Sequence, residues 1–314
     1  GALMDAYGDC FVEKVRPRLI VTMIDNNRSF YTISQRHPEV KTLMIQNGWR
    51  HPHERAFQVL NDYFVDYMML FSAVAAERYA QYIKGNIVLM GSIRSNYIRK
   101  EKLPERGVLV FVSSWDSDGF NGDGVFDTEE DFYGKADRPI IQCLVRYAEE
   151  NNKRVMIIPR HRKDNDLRAR EETYFCELLG CDLEFFELEG PFPGYSAVDS
   201  AEVVVTIDST LGYESIARGN KTAIFSYRSK VCKSWKGNFG WPREFQGEGP
   251  FWTMTPDPDS FVRILDYLFE IDDIQWRKVT EAVNFPSYMI CDPGNTILKS
   301  TLEKILGVPP ASED

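Results

Sequence analysis

The feature that most limits what this chain can become is a set of short, unbroken apolar runs. Arg18 to Ile24 reads RLIVTMI and Gly107 to Ser113 reads GVLVFVS. Neither run alternates apolar with polar residues, so each asks to be buried on both faces, as strands are in a parallel sheet covered by helices. Val40 to Gln46, Asp66 to Ser72, Asn86 to Met90, Arg154 to Ile158, Leu183 to Leu188, Val203 to Ile207 and Thr222 to Ser226 are further strands of this kind. Helices are expected at Ala73 to Ile83, Arg138 to Glu150, Asn165 to Leu179 and Leu211 to Arg218. Three more close the chain, at Pro258 to Glu270, Ile274 to Val283 and Asn295 to Leu306. Strands alternating with helices give an α/β protein with parallel sheets.

The length of 314 residues suits about two domains. Glu101 to Arg106 (EKLPER) is charged, carries a proline and reads as the linker. The expected division is therefore 1–104 and 105–314, the second domain including the terminal helices. The first domain offers four strands where a doubly wound domain has five or six. Either it is naturally reduced or its first βα units precede this sequence. Gly1-Ala2 reads as a cloning scar, and no signal peptide is recognised at the start.

Composition excludes several classes. A hydrophobic fraction of 43% rules out global disorder. The formal charge of −10 argues against a sequence-independent nucleic-acid binder, which needs a basic face. The longest apolar stretch, Met68 to Ala76, is broken by Ser72 and falls far short of the ~20 residues of a membrane span. Six scattered cysteines make no CxxC pair and the four histidines no HExxH, so reduced thiols in a cytoplasmic protein and no metal site are expected. The Asp- and Gly-rich stretch Ser113 to Asp131 fails as a calcium loop: counted from Asp116, Phe120 and Asn121 stand where an oxygen ligand and a glycine are required.

The segment with the strongest chemical content runs from Val203 to Glu214. An apolar strand enters the turn Asp208-Ser209-Thr210 and then a helix. Ser209 or Thr210 can cap that helix, and its N-terminal dipole favours a phosphate or carboxylate. Glu214, one turn further in, is placed to accept hydrogen bonds from ribose hydroxyls; an ordinary capped helix is the alternative. Upstream, Arg160-His161-Arg162-Lys163 follows a strand at its carboxyl end, where ligands sit in open α/β sheets. Arg228 follows another strand on the same side and can neutralise a phosphate. The aromatic residues Trp235, Phe239, Trp241, Phe245, Phe251 and Trp252 read first as packing.

The stretch 208–228, DSTLGYESIARGNKTAIFSYR, resembles the donor-binding region of GT-B glycosyltransferases. It is especially similar to those of bacterial O-antigen and capsule synthesis and to the related CDP-glycerol glycerophosphotransferases. The resemblance implies two Rossmann-like domains whose parallel sheets face a central cleft, the first domain short. It implies donor contacts from Arg160, His161, Ser209, Thr210, Glu214 and Arg228. The Pro-Arg-His-Arg order at 159–162 departs from the (K/R)xHP-like turn it resembles. A general base for the acceptor hydroxyl is then sought in the first domain, at Asp25, His51 or His53, with Asn47, Asp116 and Asp118 as acceptor contacts. Gly91-Ser92 with Asn96 resembles the GSxxxN that closes the first domain in these proteins.

The implied activity is sugar transfer from a nucleotide-sugar co-substrate to a surface glycan, with no obligatory cofactor or metal, no nucleic-acid partner and no transmembrane segment. A cytoplasmic protein, in peripheral contact with the inner membrane face where the acceptor demands it, fits that activity. Two other readings stay open: transfer of glycerol or ribitol phosphate from a CDP-alditol, and a catalytically incomplete GT-B-like binding module.

Overall fold

The structure is a computed structural model that describes residues 2–50, 63–100, 103–117, 131–180 and 183–308. In chain order, α1 (Ala2–Val15), β1 (Leu19–Thr22), α2 (Ile33–Arg36), β2 (Lys41–Ile45), β3 (Tyr63–Leu70), α3 (Ala73–Ala80), β4 (Ile83–Leu89) and α4 (Ile93–Tyr97) come first. There follow β5 (Glu105–Val112), α5 (Gly134–Glu150), β6 (Arg154–Ile158), α6 (Leu167–Leu179), β7 (Glu184–Phe185), α7 (Pro193–Ser200) and β8 (Ala201–Thr206). The chain ends with α8 (Thr210–Ala217), β9 (Thr222–Phe225), α9 (Arg228–Val231), β10 (Trp252–Thr253), α10 (Pro258–Glu270), α11 (Asp273–Ala282) and α12 (Thr296–Leu306). All nine expected strands are present. The two-residue β10 and the helices α1, α4, α7 and α9 were not foreseen; except for α1, each is eight residues or shorter, below the length at which periodicity speaks, while α2 is the short polar helix that fits between Asn27 and Val40.

The chain forms two compact units. One holds the residues up to Arg50, those through Arg99 and the chain from Pro286 onward; the other spans Lys100–Phe285. The sheet of the first unit runs β1-β2-β3-β4, every pair parallel. Successive residues of β2 point to opposite faces, and both faces are buried, which is why this strand reads as apolar throughout. Met44 packs with Tyr31, Val65, Met68 and Tyr79 on one face. Leu43 and Ile45 pack with Met69, Met90 and Leu298 on the other.

Leu298 belongs to α12. Ile297, Leu302 and Ile305 of the same helix join it against this sheet, so the last helix completes the first unit and not the second, where the sequence suggested it. The segment read as GSxxxN is the dock for that return. Gly91 has a φ of +73°, and a Cβ there would lie 2.0 Å from the Ile290 carbonyl oxygen. Ser92 caps α4 by accepting from the Ser95 amide. Asn96 is buried; its Nδ2 donates to the Met90 carbonyl at 2.7 Å, its Oδ1 accepts from the Asp292 amide at 2.9 Å, and its carbonyl accepts from the Gly294 amide at 2.7 Å.

The second sheet runs β10-β9-β8-β5-β6-β7, again all parallel. Counted from its own first strand, this is the doubly wound order in which the winding reverses between the first and fourth strands, here β5 and β8. Val110 faces Val204 and Phe111 faces Val205 across that pair. Phe239, Phe251 and Trp252 are buried against one another, so this aromatic region is packing.

Asn96→Ala leaves the Asp292 amide and the Met90 carbonyl without partners in a buried place. The expected loss is about 1–3 kcal/mol of stability, read from the urea midpoint, with earlier proteolysis after residue 286.

Candidate functional site

The reversal at β5 and β8 opens a crevice at their carboxyl ends, and the loops that follow β5, β6, β8 and β9 supply its residues. Ser209 caps α8: its backbone is extended and its Oγ accepts from the Leu211 amide at 3.2 Å. Gly212 lets the helix start close to β8, since a Cβ there would lie 2.4 Å from Thr206 Cγ2. The cap and the close approach present the positive end of α8 at the crevice, with Thr210 as its first residue.

Arg160 and His161 follow β6. The Arg160 side chain is 44% exposed and pairs with Asp116 at 3.0 Å, while also donating to the Ser114 carbonyl at 3.3 Å. Asp116, sought as an acceptor contact, therefore stands against Arg160, which the sequence suggested as a donor contact. His161 is buried, and its Nδ1 lies 3.1 Å from Oε2 of Glu171. Glu171 is completely buried on α6; it also accepts from the Ser113 hydroxyl at 2.5 Å and from the amides of Arg160 and His161 at 2.9 and 3.0 Å. The Trp115 ring meets the His161 ring edge-on and stacks on Tyr174.

Arg228 lies beneath the crevice and does not face solvent, being 2% exposed. Its Nε donates to Asp208 at 2.8 Å and a terminal nitrogen to Ser114 Oγ at 3.1 Å, with Asp137 at 3.6 Å. The rings of Phe132, Tyr133 and Trp235 surround the guanidinium within 6 Å. Burial opposes its charge, but Asp208 and Asp137 outweigh that and hold its pKa above the usual value. Arg228 is thus a buried strut between α9, α5 and the β8–α8 turn. A direct donor-phosphate contact, as the sequence suggested, requires an exposure it lacks.

Asp137 is fully buried, and burial pushes its pKa from the usual 3.8 up to about 6, against the pull of Arg228 and the Tyr174 hydroxyl. Its Oδ1 and the Tyr133 hydroxyl have no hydrogen-bond partner among the described residues. Glu214 is buried in α8 and accepts from the Tyr195 hydroxyl at 2.9 Å.

In the first unit Asp25 is completely buried. Its carboxylate accepts from Arg50 Nε at 2.9 Å and also from Arg50 Nη2 and the Tyr79 hydroxyl. Asn47 accepts from the same arginine at 2.6 Å. As folded, Asp25 anchors Arg50 and Tyr79 and is not a free carboxylate. His51, His53 and Asp118 lie outside the described residues. Among the described residues no group of three or more His, Cys, Asp or Glu side chains is placed to hold a metal ion.

Sequence reasoning missed Glu171, Asp137, Asp208 and Tyr195. Glu171 sits in the charged stretch RAREETY and Asp137 beside Arg138 at a helix start, so neither carries a local signal of burial.

A family model described as "putative O-antigen biosynthesis protein" matches residues 43–306. The chain belongs to this family. Among solved structures, the O-antigen family chain is similar to the UDP-GlcNAc 2-epimerase from Neisseria meningitidis bound to UDP-GlcNAc. That likeness has 10% identity and a TM-score of 0.55 over 96% of this chain and 80% of that one. It is similar to the wall teichoic acid polymerase TagF, soaked with CDPG, at 10% identity and a TM-score of 0.52 over 92% and 72%. The UDP-GlcNAc 2-epimerase from Methanocaldococcus jannaschii gives 11% identity and a TM-score of 0.52 over 90% and 80%. These likenesses show the fold: a GT-B-like α/β protein with two parallel sheets. None of the curated proteins compared matches the chain. Among the described residues no helix is long and apolar enough to cross a membrane.

A carboxyl whose folded pKa is raised binds more protons folded than unfolded between the two values, so its contribution to stability falls as pH rises from about 4 to about 6. Asp137→Asn removes that fall. Relative to the wild type, the variant's denaturation midpoint is expected to improve steadily across this window and to change little above pH 7.

Proposed function

We propose that this O-antigen family member is a glycosyltransferase that moves a sugar from a nucleotide-sugar donor to a growing surface glycan. The observation that carries the reading is the switch-point crevice of the second unit. There the positive end of α8 follows β8, and the half-exposed Arg160 and the braced His161 follow β6, the two strands that flank β5. Such a place suits the diphosphate of a nucleoside diphosphate donor. As the glycosidic bond to the phosphate breaks, charge develops on the leaving phosphate oxygen, and fixed N–H donors and cations lower the barrier by meeting it. The nucleotide sugar is a co-substrate in this reading, and no metal or other cofactor is invoked.

Ser209 and Thr210 are the proposed phosphate-side contacts. Glu214 reaches ribose hydroxyls only by sharing its carboxylate with Tyr195. The proposal gives Asp25 no proton-accepting role, because Arg50 and Tyr79 already engage its carboxylate. Work on the cytoplasmic side, peripheral to the inner membrane where the acceptor is lipid-linked, belongs to the same reading.

A second reading is transfer of an alditol phosphate from a CDP-alditol. The buried carboxylate behind His161 favours it, since a braced imidazole suits phosphoryl chemistry in the same crevice.

The test is a thermal-shift panel of CMP, CDP, UDP, GDP, ADP and dTDP. A ligand at about 100 times its Kd adds ~2.7 kcal/mol to the native state, so a selective rise in Tm of several degrees is expected. Arg160→Ala should lose most of that rise while keeping the ligand-free Tm. Turnover of an NDP-sugar supports the first reading and turnover of a CDP-alditol the second. No shift with any nucleotide at about 1 mM overturns both.

A further inference from the structure

We infer that Glu171 is the positioning residue of the switch-point crevice: one buried carboxylate that joins the ends of β5 and β6 and sets the tautomer of His161. The inference rests on the reading of that crevice as a nucleotide site. Four hydrogen-bonding groups converge on this side chain. They are the Ser113 hydroxyl (2.5 Å), the Arg160 amide (2.9 Å), the His161 amide (3.0 Å) and His161 Nδ1 (3.1 Å). Ser113 follows β5, Arg160 and His161 follow β6, and Glu171 stands on α6.

A completely buried carboxylate is unfavourable unless donors surround it. Here every donor comes from a loop of the crevice, so the carboxylate is held by the very groups it orders. The two backbone amides fix the path of the chain at Arg160 and His161, and with it the directions in which those side chains leave β6. Arg160 is aimed to the crevice rim, where it meets Asp116 and the Ser114 carbonyl. Ser113 also accepts from the Trp115 amide at 3.2 Å, which extends the order along the loop after β5.

The fourth contact sets chemistry as well as shape. An ionised carboxylate only accepts, so Nδ1 of His161 carries the proton and Nε2 is the nitrogen left for a ligand. Among the described residues Nε2 has no hydrogen-bond partner, and the Trp115 ring packs edge-on to the imidazole. Arg168 donates to the His161 carbonyl at 3.2 Å, a second hold on the same turn from α6.

Two measurements test this. Long-range ¹H–¹⁵N correlation on the ligand-free protein at about pH 8.5, above the usual imidazole range, reads the ring tautomer, with His161→Gln assigning the signal. The Nδ1–H form is expected; the Nε2–H form overturns the inference whether or not any nucleotide binds. Titration with UDP and CDP then compares wild type with Glu171→Gln, which keeps the shape but leaves at least one backbone amide without an acceptor. Affinity is expected to fall about tenfold, the equivalent of one charged hydrogen bond, while circular dichroism shows an intact fold. Affinity within about twofold of wild type overturns the inference. Should Glu171→Gln fail to fold, Ser113→Ala removes one of the four contacts, and unchanged affinity in that variant overturns it equally. A wild-type chain that binds neither nucleotide refutes the nucleotide reading alone, and the tautomer then decides the role of Glu171.

Discussion

The parallel pairing of β5 with β8 is the constraint on which the second unit depends. Val108–Val112 of β5 and Val203–Val205 of β8 are apolar and buried on both faces, so these strands occupy the middle of the sheet. Right-handed crossovers then carry the chain away from β5 in one direction and back past it in the other. The carboxyl ends of the two strands are left without a covering helix between them. The turns into α6 and α8 and the segments that follow β5 and β9 therefore collect at that point. The doubly wound order follows from burial and handedness, and the crevice follows from the order.

The crevice is built with charges that face inward as much as outward. Arg228 is enclosed by three aromatic rings and two carboxylates, and Glu171 by four donors. Arg160, by contrast, is half-exposed. The division is physical. A buried cation paired with carboxylates contributes little field at the surface but fixes the loops that carry it, whereas a half-exposed guanidinium can exchange a surface carboxylate for a ligand phosphate. The first unit follows the same rule at Asp25, where Arg50 and two tyrosines surround one buried acid or its backbone carbonyl.

Much of this could be read in advance. The nine apolar runs became nine parallel strands, and of the two candidate caps, Ser209 and Thr210, Ser209 is the one that caps α8. The identities of the buried acids could not be read. Glu171 lies among Arg168, Arg170, Glu172 and Thr173 on a helix with no clear apolar stripe, and Asp137 lies beside Arg138, so each looks like a solvated residue. The place of α12 was hidden for a related reason. Its apolar residues suit any sheet, and the dock that selects the first one is Asn96, bonded to a residue 196 positions away. The Arg228 role was misread because a strand end looks alike whether its following side chain turns outward or under the sheet.

What the sequence determined by itself are the interactions closed within a few residues: continuous apolar strands, a serine cap, a glycine where the chain must turn with positive φ. These depend on near neighbours, which the order of residues states directly. What only the tertiary structure decided are the pairs closed across the sheet. Ser113 meets Glu171 across 58 positions, Arg228 meets Ser114 across 114, and Asp292 meets Asn96 across 196. Whether a carboxylate is solvated, or buried and surrounded by donors, depends on which chain ends the winding of the sheet brings together, and no local pattern of residues encodes that.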